Sequence, residues 1–450
     1  MEPITLDEIV KWTGGSCFSK NDDIVFNSIS TDSRTCSCGC LFVALKGKNF
    51  DGHDFIPDVI KAGAKGVIVE KKIPVDIAQI LVSDTLKALG DVARNYRRKF
   101  LCPVIGITGS DGKTTTKEMC AHLLSSRFNV CKNQGNFNNE IGLPLSIMTM
   151  TKNTEAGIFE LGMNGYGQLD YLGRILQPDI VIITSIGYAH LGFFKNRKDL
   201  ARTKAEILNH IRSDGIAFIN GDVNFSDIFN KKLLFRPVYA GLHPANDFQG
   251  IITGYQQDQF TLRIKQWEHI DFKIKSWNGA IAYPSLFSIL IADYFGVPRD
   301  LLPKLVYDFV LIGGRGLVKN AASVRIFDES YNANPGSMTV ALQYFAKQKA
   351  KRKLVVVGCM AELGKWSKFY HRRIAELIKK LNFDAVFTIG EDARVISALS
   401  NNISKHFESI QDMAEYVCNF VNPGDAIMVK GSRINKLDII VQHLTGKTGD

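Results

Sequence analysis

No apolar run in this 450-residue sequence approaches the ~20 residues a bilayer-spanning helix needs. The best candidate, residues 285–295, is short and interrupted by Asp293. The first twelve residues, MEPITLDEIVKW, lack the basic patch followed by an apolar block that marks a secretory leader, so a cytoplasmic protein is expected. Nine cysteines, an odd number spread over a long chain, exclude a disulfide framework and fit reduced thiols. Cys36, Cys38 and Cys40 alternate too closely for the usual zinc pairs, and no histidine pair follows them. Low-complexity stretches and fixed-period repeats are also missing.

What is present is ordinary for a folded chain: 45% hydrophobic and 22% charged residues, which exclude a disordered or fibrous protein. The length suggests roughly three domains at about 150 residues each. A formal charge of +10 favours anionic partners. Nucleic acid is not expected among them, because the chain offers no aromatic-basic platform or recognition helix.

Residues 1–100 read as a small α/β module, with strands at 41–45 and 66–69 and a helix at 55–64 between them. The charge cluster and proline of RRKFLCP, 97–103, set a boundary near 100. From 101 to 313 the chain alternates strand, loop and helix. Its apolar runs at 104–107, 157–161 and 180–186 are of the continuous kind found in buried parallel strands. The glycines of GGRG, 313–316, close this region. A third α/β unit, 314–450, follows with strands at 324–327, 354–357, 385–389 and 426–429.

Chemistry concentrates at the strand exits. Thr108-Gly109-Ser110-Asp111-Gly112-Lys113-Thr114-Thr115 lies between the 104–107 strand and a helix beginning near Lys113. Glycines admit backbone N–H groups to phosphate oxygens, the helix N-terminus adds positive potential, and lysine offsets β/γ charge, so the stretch predicts nucleotide-phosphate binding. It is not a strict Walker loop, since Ile107 stands where the first glycine would be. Thr114 is a candidate magnesium ligand through its hydroxyl. Glu160 and His190 follow two further strands, and ligands in open parallel sheets bind outside such carboxyl ends. Lys113, Glu160 and His190 are therefore expected to converge on a metal-nucleotide site.

A helix is predicted over 199–211, its apolar stripe falling on Leu200, Ile207, Leu208 and Ile211, with Lys204 on the inward side. A buried lysine tends to lose its proton, leaving an amine able to take up carbon dioxide as an anionic, metal-binding carbamate. Asn136, Asn138 and Asn139 offer amides to a polar substrate. After the 324–327 strand, Asp328, Tyr331, Asn332 and Asn334 suit ribose and base, and Arg315 suits a transferring phosphoryl group.

Together these stretches resemble the Mur ligase family over nearly the whole chain. The resemblance runs through STDSR (30–34), LFVALKG (41–47), DGHDFI (51–56), TGSDGKTTTKEM (108–119), GNFNNEIGLPLS (135–146), ELGMN (160–164), IGYAHL (186–191), TKAEI (203–207), DESYNANP (328–335), MAELG (360–364) and KGSR (430–433). NNEIGLPLS and SYNANP point to the member that adds a dipeptide.

The resemblance implies a UDP-binding N-terminal domain, a central ATPase domain and a mobile Rossmann-like C-terminal domain. It implies joining of D-alanyl-D-alanine to UDP-N-acetylmuramoyl-tripeptide with ATP and Mg2+, forming a peptidoglycan precursor, by a monomer. It further implies that Lys113 binds ATP phosphates, that Thr114 and Glu160 hold one magnesium, and that His190 and carbamylated Lys204 hold a second. Asn138 and Asn139 would meet the muramoyl peptide, and Ser33, Arg34, Lys46 and Gly47 the uridine end. Arg315 would contact phosphate and Asp328 ribose.

One segment departs from the family pattern. Residues 278–288 read NGAIAYPSLFS, without the histidine and asparagines of the helix start that approaches adenine, and Tyr331, Asn332 and Asn334 are expected to compensate. The alternatives are another amino-acid ligase of the family, or a nucleotide-binding scaffold with altered adenine contacts.

Overall fold

The structure, a computed structural model, describes residues 1–19, 23–188, 192–256, 258–267, 269–400 and 403–446. Three mainly parallel sheets follow one another along the chain. The first has five strands in the order Ser16–Phe18, Ala78–Leu81, Gly66–Val69, Cys40–Val43 and Ser28–Ser30, antiparallel only at its first pair. The helix expected over 55–64 is shorter, Ile56–Lys61, because Asp51 caps a preceding 3-10 turn, Gly52–Phe55.

The second sheet carries the site. Val104–Thr108 lies between Ala156–Glu160 on one side and Ile180–Ile183 on the other, all parallel and buried on both faces. The chain thus leaves Val104–Thr108 to build outward first one way and then the other, and such a reversal opens a crevice at the carboxyl ends of these strands. Val130–Lys132 forms one edge of the sheet. Toward the other edge, Ile216–Asn220, Val238–Gly241 and Phe248–Gln256 continue the parallel order. An antiparallel run through Gln259–Ile264 and Asp271–Ile274 completes nine strands.

The third sheet has six strands: Leu317–Ala321, Val324–Glu329, Ala426–Lys430, Lys353–Gly358, Ala385–Ile389 and Ile403–Phe407. Only its first pair is antiparallel.

The first two units share a core. Tyr96, fully buried on the Thr85–Arg97 helix, accepts from the Glu2 amide and donates to the Met150 carbonyl, both at 2.6 Å. Arg97 crosses to Asp179 at 3.0 Å with its guanidinium nearly covered. In the middle unit the Lys113–Leu124 helix packs on the almost wholly buried Ala282–Tyr294 helix. The third unit meets the second through the Gly192 amide, which donates to the Glu362 carbonyl at 2.8 Å. A side chain at Gly192 would lie 2.9 Å from that same oxygen, so the approach requires glycine.

Candidate active site

The crevice opens where three strands end. Thr108 closes the central strand with a fully buried side chain that donates to the Leu161 carbonyl at 3.1 Å, tying two strands rather than facing the crevice. Gly109 then turns at φ 153°, where a Cβ would lie 2.0 Å from Thr184 Oγ1. The backbone passes this point only as glycine. Thr184 and Ser185, at the exit of Ile180–Ile183, hold the loop: Thr184 Oγ1 donates to the Asp111 carbonyl at 2.6 Å, and Ser185 Oγ accepts from the Asp111 amide at 2.7 Å. Gly112, at φ 82°, delivers the chain into the Lys113–Leu124 helix, whose unpaired N–H groups face the crevice.

On the next strand Glu160 is buried but functionally exposed to this helix. Its Oε2 accepts from Thr114 Oγ1 at 2.6 Å and its Oε1 from Asn138 Nδ2 at 2.8 Å. The backbone of Glu160 is bracketed by the Asn133 side chain, which donates to its carbonyl and accepts from its amide, both at 3.0 Å. A hydroxyl and a carboxylate this close form an oxygen donor set suited to a hard divalent cation such as Mg2+.

Lys113 and Lys204 converge on one backbone atom. Lys113 Nζ donates to the Gly109 carbonyl at 2.9 Å, and Lys204 Nζ reaches the same oxygen from beneath at 3.0 Å. Lys204 is buried as expected, and burial pushes its amine well below the ordinary lysine range. The neighbouring Lys113 cation works in the same direction, opposed by Asp111. The predicted helix around it is Arg197–Lys204 continued by a 3-10 segment, Ala205–His210, with Lys204 at the junction. His190 lies outside the described residues.

A cleft of about 590 Å3 joins Lys113, Thr114 and Glu160 to the third unit, while Lys204 lies behind its wall. One arm is walled by Asn136, Asn138, Asn139 and Asn164; the other by Asn220, Asp222, Ala280, Ile281, Tyr283 and Pro284. The segment lacking the family's histidine and asparagines therefore gives this second arm apolar surface beside a tyrosine. Tyr283 donates to Asp222 at 2.9 Å. Asp222 also accepts from the Leu242 and His243 amides and from Asn246. Burial alone would raise that carboxyl, but these hydrogen bonds hold it below its ordinary value.

From the third unit, Arg315 lays its guanidinium 3.8 Å from the centre of the Tyr331 ring, both on the cleft wall. Asp328, expected at the ribose, lies near the end of the strand Val324–Glu329. It accepts from Ser330 Oγ at 2.6 Å, Lys319 Nζ at 3.0 Å and the Gly314 amide at 3.2 Å, pinning the turn that carries Arg315, and it is absent from the cleft wall. Alternation along Val324–Glu329 turns Glu329 to the cleft instead, where it meets Asn278 Nδ2 at 3.0 Å and Lys430 Nζ at 3.2 Å. Glu329 stood in DESYNANP and Lys430 in KGSR without a role, and the period of two along the strand was the signal that separates the two acids.

Asn334 also lines the cleft and makes contacts of its own. It caps the Pro335–Ala346 helix through Ser337 and donates to Asp111 Oδ1 at 2.5 Å, linking the third unit to the phosphate loop. Asn332 accepts from the Ala333 amide, and with Tyr331 it lines the cleft. Asn334→Ala is expected to remove about 1 kcal/mol of helix cap. Steady-state kinetics should show kcat/KM for the nucleotide falling about tenfold from the lost link to a carboxylate.

Ser33, Arg34, Lys46 and Gly47 lie in the first unit, away from this cleft's walls. Arg34 is highly exposed and pairs with Asp32 at 2.6 Å. The backbones of Lys46 and Asp51 pair in an isolated antiparallel β-bridge, and the Gly47 amide donates to the Phe50 carbonyl at 2.8 Å.

The fold and cleft define a three-unit α/β nucleotide-phosphate-binding protein. Comparison with known proteins narrows that class. Three family models match: the Mur ligase family catalytic domain over 25–97, the Mur ligase middle domain over 107–283, and the Mur ligase glutamate ligase domain over 314–433. The UDP-N-acetylmuramoyl-tripeptide–D-alanyl-D-alanine ligase of Bacillus subtilis is 32% identical over 436 residues, 94% of each chain. The ligase of the same name from Escherichia coli is 30% identical, covering 99% of each. Among solved structures, MurF from Acinetobacter baumannii superposes with a TM-score of 0.91 at 28% identity, over 99% of this chain and 100% of that one. MurF from Thermotoga maritima in complex with ADP does so at 0.85 and 28%, over 93% and 97%. This chain belongs to the Mur ligase family.

Proposed function

We propose that this chain joins D-alanyl-D-alanine to UDP-N-acetylmuramoyl-tripeptide at the expense of ATP, giving the pentapeptide precursor of peptidoglycan. The full-length likeness to ligases of that name supports the reaction. The observation that carries the mechanism is the Thr114–Glu160 pair, set between the phosphate loop and the asparagine loop in one cleft.

A free carboxylate resists attack by an amine. The terminal carboxylate of the tripeptide therefore attacks the γ-phosphorus of ATP, a new P–O bond forms, the bond to ADP breaks, and an acyl phosphate results. The amino group of the dipeptide then adds to the acyl carbon and sheds a proton. The C–O bond to phosphate breaks, leaving the amide.

Lys113 and the helix N-terminus offset the repulsion between the anionic reactants in the first step, and Arg315 serves the phosphates from the opposite wall. Thr114 and Glu160 would hold a magnesium ion, and His190 with carbamylated Lys204 a second; bound there, the metal supplies charge neutralisation of the transferring phosphoryl group. Asn138 and Asn139 face the muramoyl peptide, and Ser33, Arg34, Lys46 and Gly47 the uridine end. The nucleoside takes the arm walled by Ile281, Tyr283 and Pro284, opposite the asparagine loop, with Tyr331 and Asn332 on its far side. Closure of the third unit shields the acyl phosphate from water.

Residues 1–100, 101–313 and 314–450 form the three working units. The active unit is a monomer, working in the cytoplasm. Among the described residues no helix is long and apolar enough to cross a membrane.

The test is phosphate release from ATP with UDP-muramoyl-tripeptide, with and without D-alanyl-D-alanine. Release is expected only when all three are present, and dipeptide-independent release would contradict the reading.

A further inference from the structure

One fully buried cation in the middle unit has no part in the chemistry above. Lys117 lies on the Lys113–Leu124 helix three residues beyond Thr114, and none of its surface is exposed. An ammonium in such a place costs several kcal/mol unless all its protons are answered. Here they are: Nζ lies 2.7 Å from the Asn133 carbonyl, 3.4 Å from the Gly135 carbonyl and 3.0 Å from Glu118 Oε1. Three acceptors meet three N–H donors. Glu118 is shared with Lys132 on the sheet-edge strand Val130–Lys132. Burial raises its carboxyl, yet the bonds from Lys132 and Lys117 bring it below its ordinary value.

The two carbonyls belong to the start of the 133–139 loop. Asn133 brackets the backbone of Glu160, while Asn136, Asn138 and Asn139 line the acceptor arm of the cleft. Gly135 turns at φ 48°, so the loop changes direction at the carbonyl that Lys117 holds. The helix whose first turn faces the phosphates is thereby fastened, one turn later, to the loop that faces the acceptor.

We infer that Lys117 is a positioning residue: it sets the 133–139 loop against the phosphate-binding helix, so that the carboxylate of the acceptor is held in line with the γ-phosphate. This rests on the ligase reading. Wild-type phosphate release dependent on both the tripeptide and the dipeptide tests that reading separately, before any variant is compared. An elongated cation is needed here rather than any apolar filler, because the Asn133 and Gly135 carbonyls would otherwise lose their donor.

The experiment compares Lys117→Met with the double variant Lys117→Met/Glu118→Gln. The double variant also removes the carboxylate charge that Lys117 shares with Lys132, so the two variants release the same two carbonyls with and without that charge, and the melting temperature reports which of them keeps the native fold. For each, the melting temperature, ADP affinity by titration, and kcat and KM for both ATP and UDP-muramoyl-tripeptide are measured.

In the folded double variant KM for the tripeptide is expected to rise and kcat to fall, together lowering kcat/KM by about 10²-fold, the scale of a 1 Å misplacement. ADP affinity and KM for ATP should stay within about threefold, a difference under 1 kcal/mol. A purely structural role would move both substrates together with the melting temperature. Equal losses for ATP and tripeptide, or unchanged tripeptide kinetics, would overturn the inference.

Discussion

Lys113→Met is expected to lower kcat by a factor of about 10³ while leaving the chain folded, the scale found when one preorganised charge-stabilising donor is lost. Lys113 is half-buried and bonded to a backbone carbonyl that Lys204 also contacts, so its removal breaks no apolar packing and leaves Gly109 O a partner. What it removes is the cation at the start of the Lys113–Leu124 helix, which the proposed reaction sets against the β/γ charge. Single-turnover phosphate release, measured beside the melting temperature, checks this. A kcat within about tenfold of wild type, or under 1.4 kcal/mol of lost transition-state stabilisation, would contradict the role.

Lys204 carries the second large effect and the less obvious sign. Lys204→Met is expected to abolish turnover to a similar degree without lowering the melting temperature, because the native chain buries an amine for which a thioether of like length is better suited. The pH dependence follows from burial. In the native state the amine releases its proton well below the ordinary lysine range, whereas in the unfolded chain it holds the proton up to that range. Between the two the unfolded state binds more protons, so this site makes stability rise with pH. In Lys204→Met that component of the rise should disappear.

The same neutral amine is the form able to take up carbon dioxide. Lys204→Ala is expected to regain activity with short carboxylic acids that stand in for a carbamate. Melting curves across pH and rescue assays with formate or acetate check both statements; a steep loss of stability, or no rescue, would count against them.

Much of the middle unit was legible because its chemistry sits at the ends of continuous apolar strands. The runs at 104–107, 157–161 and 180–186 became Val104–Thr108, Ala156–Glu160 and Ile180–Ile183, each within a few residues, since full burial on both faces leaves an unbroken hydrophobic signature. Lys204 was legible through helical spacing. That spacing could not foresee the tightening to a 3-10 segment after it, because Leu200, Ile207 and Leu208 face inward on either geometry.

Other features depended on contacts that a linear reading does not carry. The antiparallel extension beginning at Phe248–Gln256 has a half-exposed pattern that announces no buried strand. Asp328 and Glu329 are adjacent in sequence and opposite in space, so the motif alone did not say which acid meets the cleft. Asn133 and Lys117 act on carbonyls and amides brought near only by strand pairing between Val130–Lys132 and Ala156–Glu160. That Asn334 caps a helix and reaches the phosphate loop likewise depends on contacts the motif does not carry.

The most direct measurement follows oxygen. UDP-muramoyl-tripeptide labelled with 18O in its terminal carboxylate is turned over with ATP and D-alanyl-D-alanine, and the released phosphate is analysed by mass spectrometry. If the cleft makes the carboxylate electrophilic by phosphorylating it, each phosphate carries one labelled oxygen and the new amide keeps the other. Unlabelled phosphate, with both labelled oxygens elsewhere, would contradict activation by γ-phosphoryl transfer.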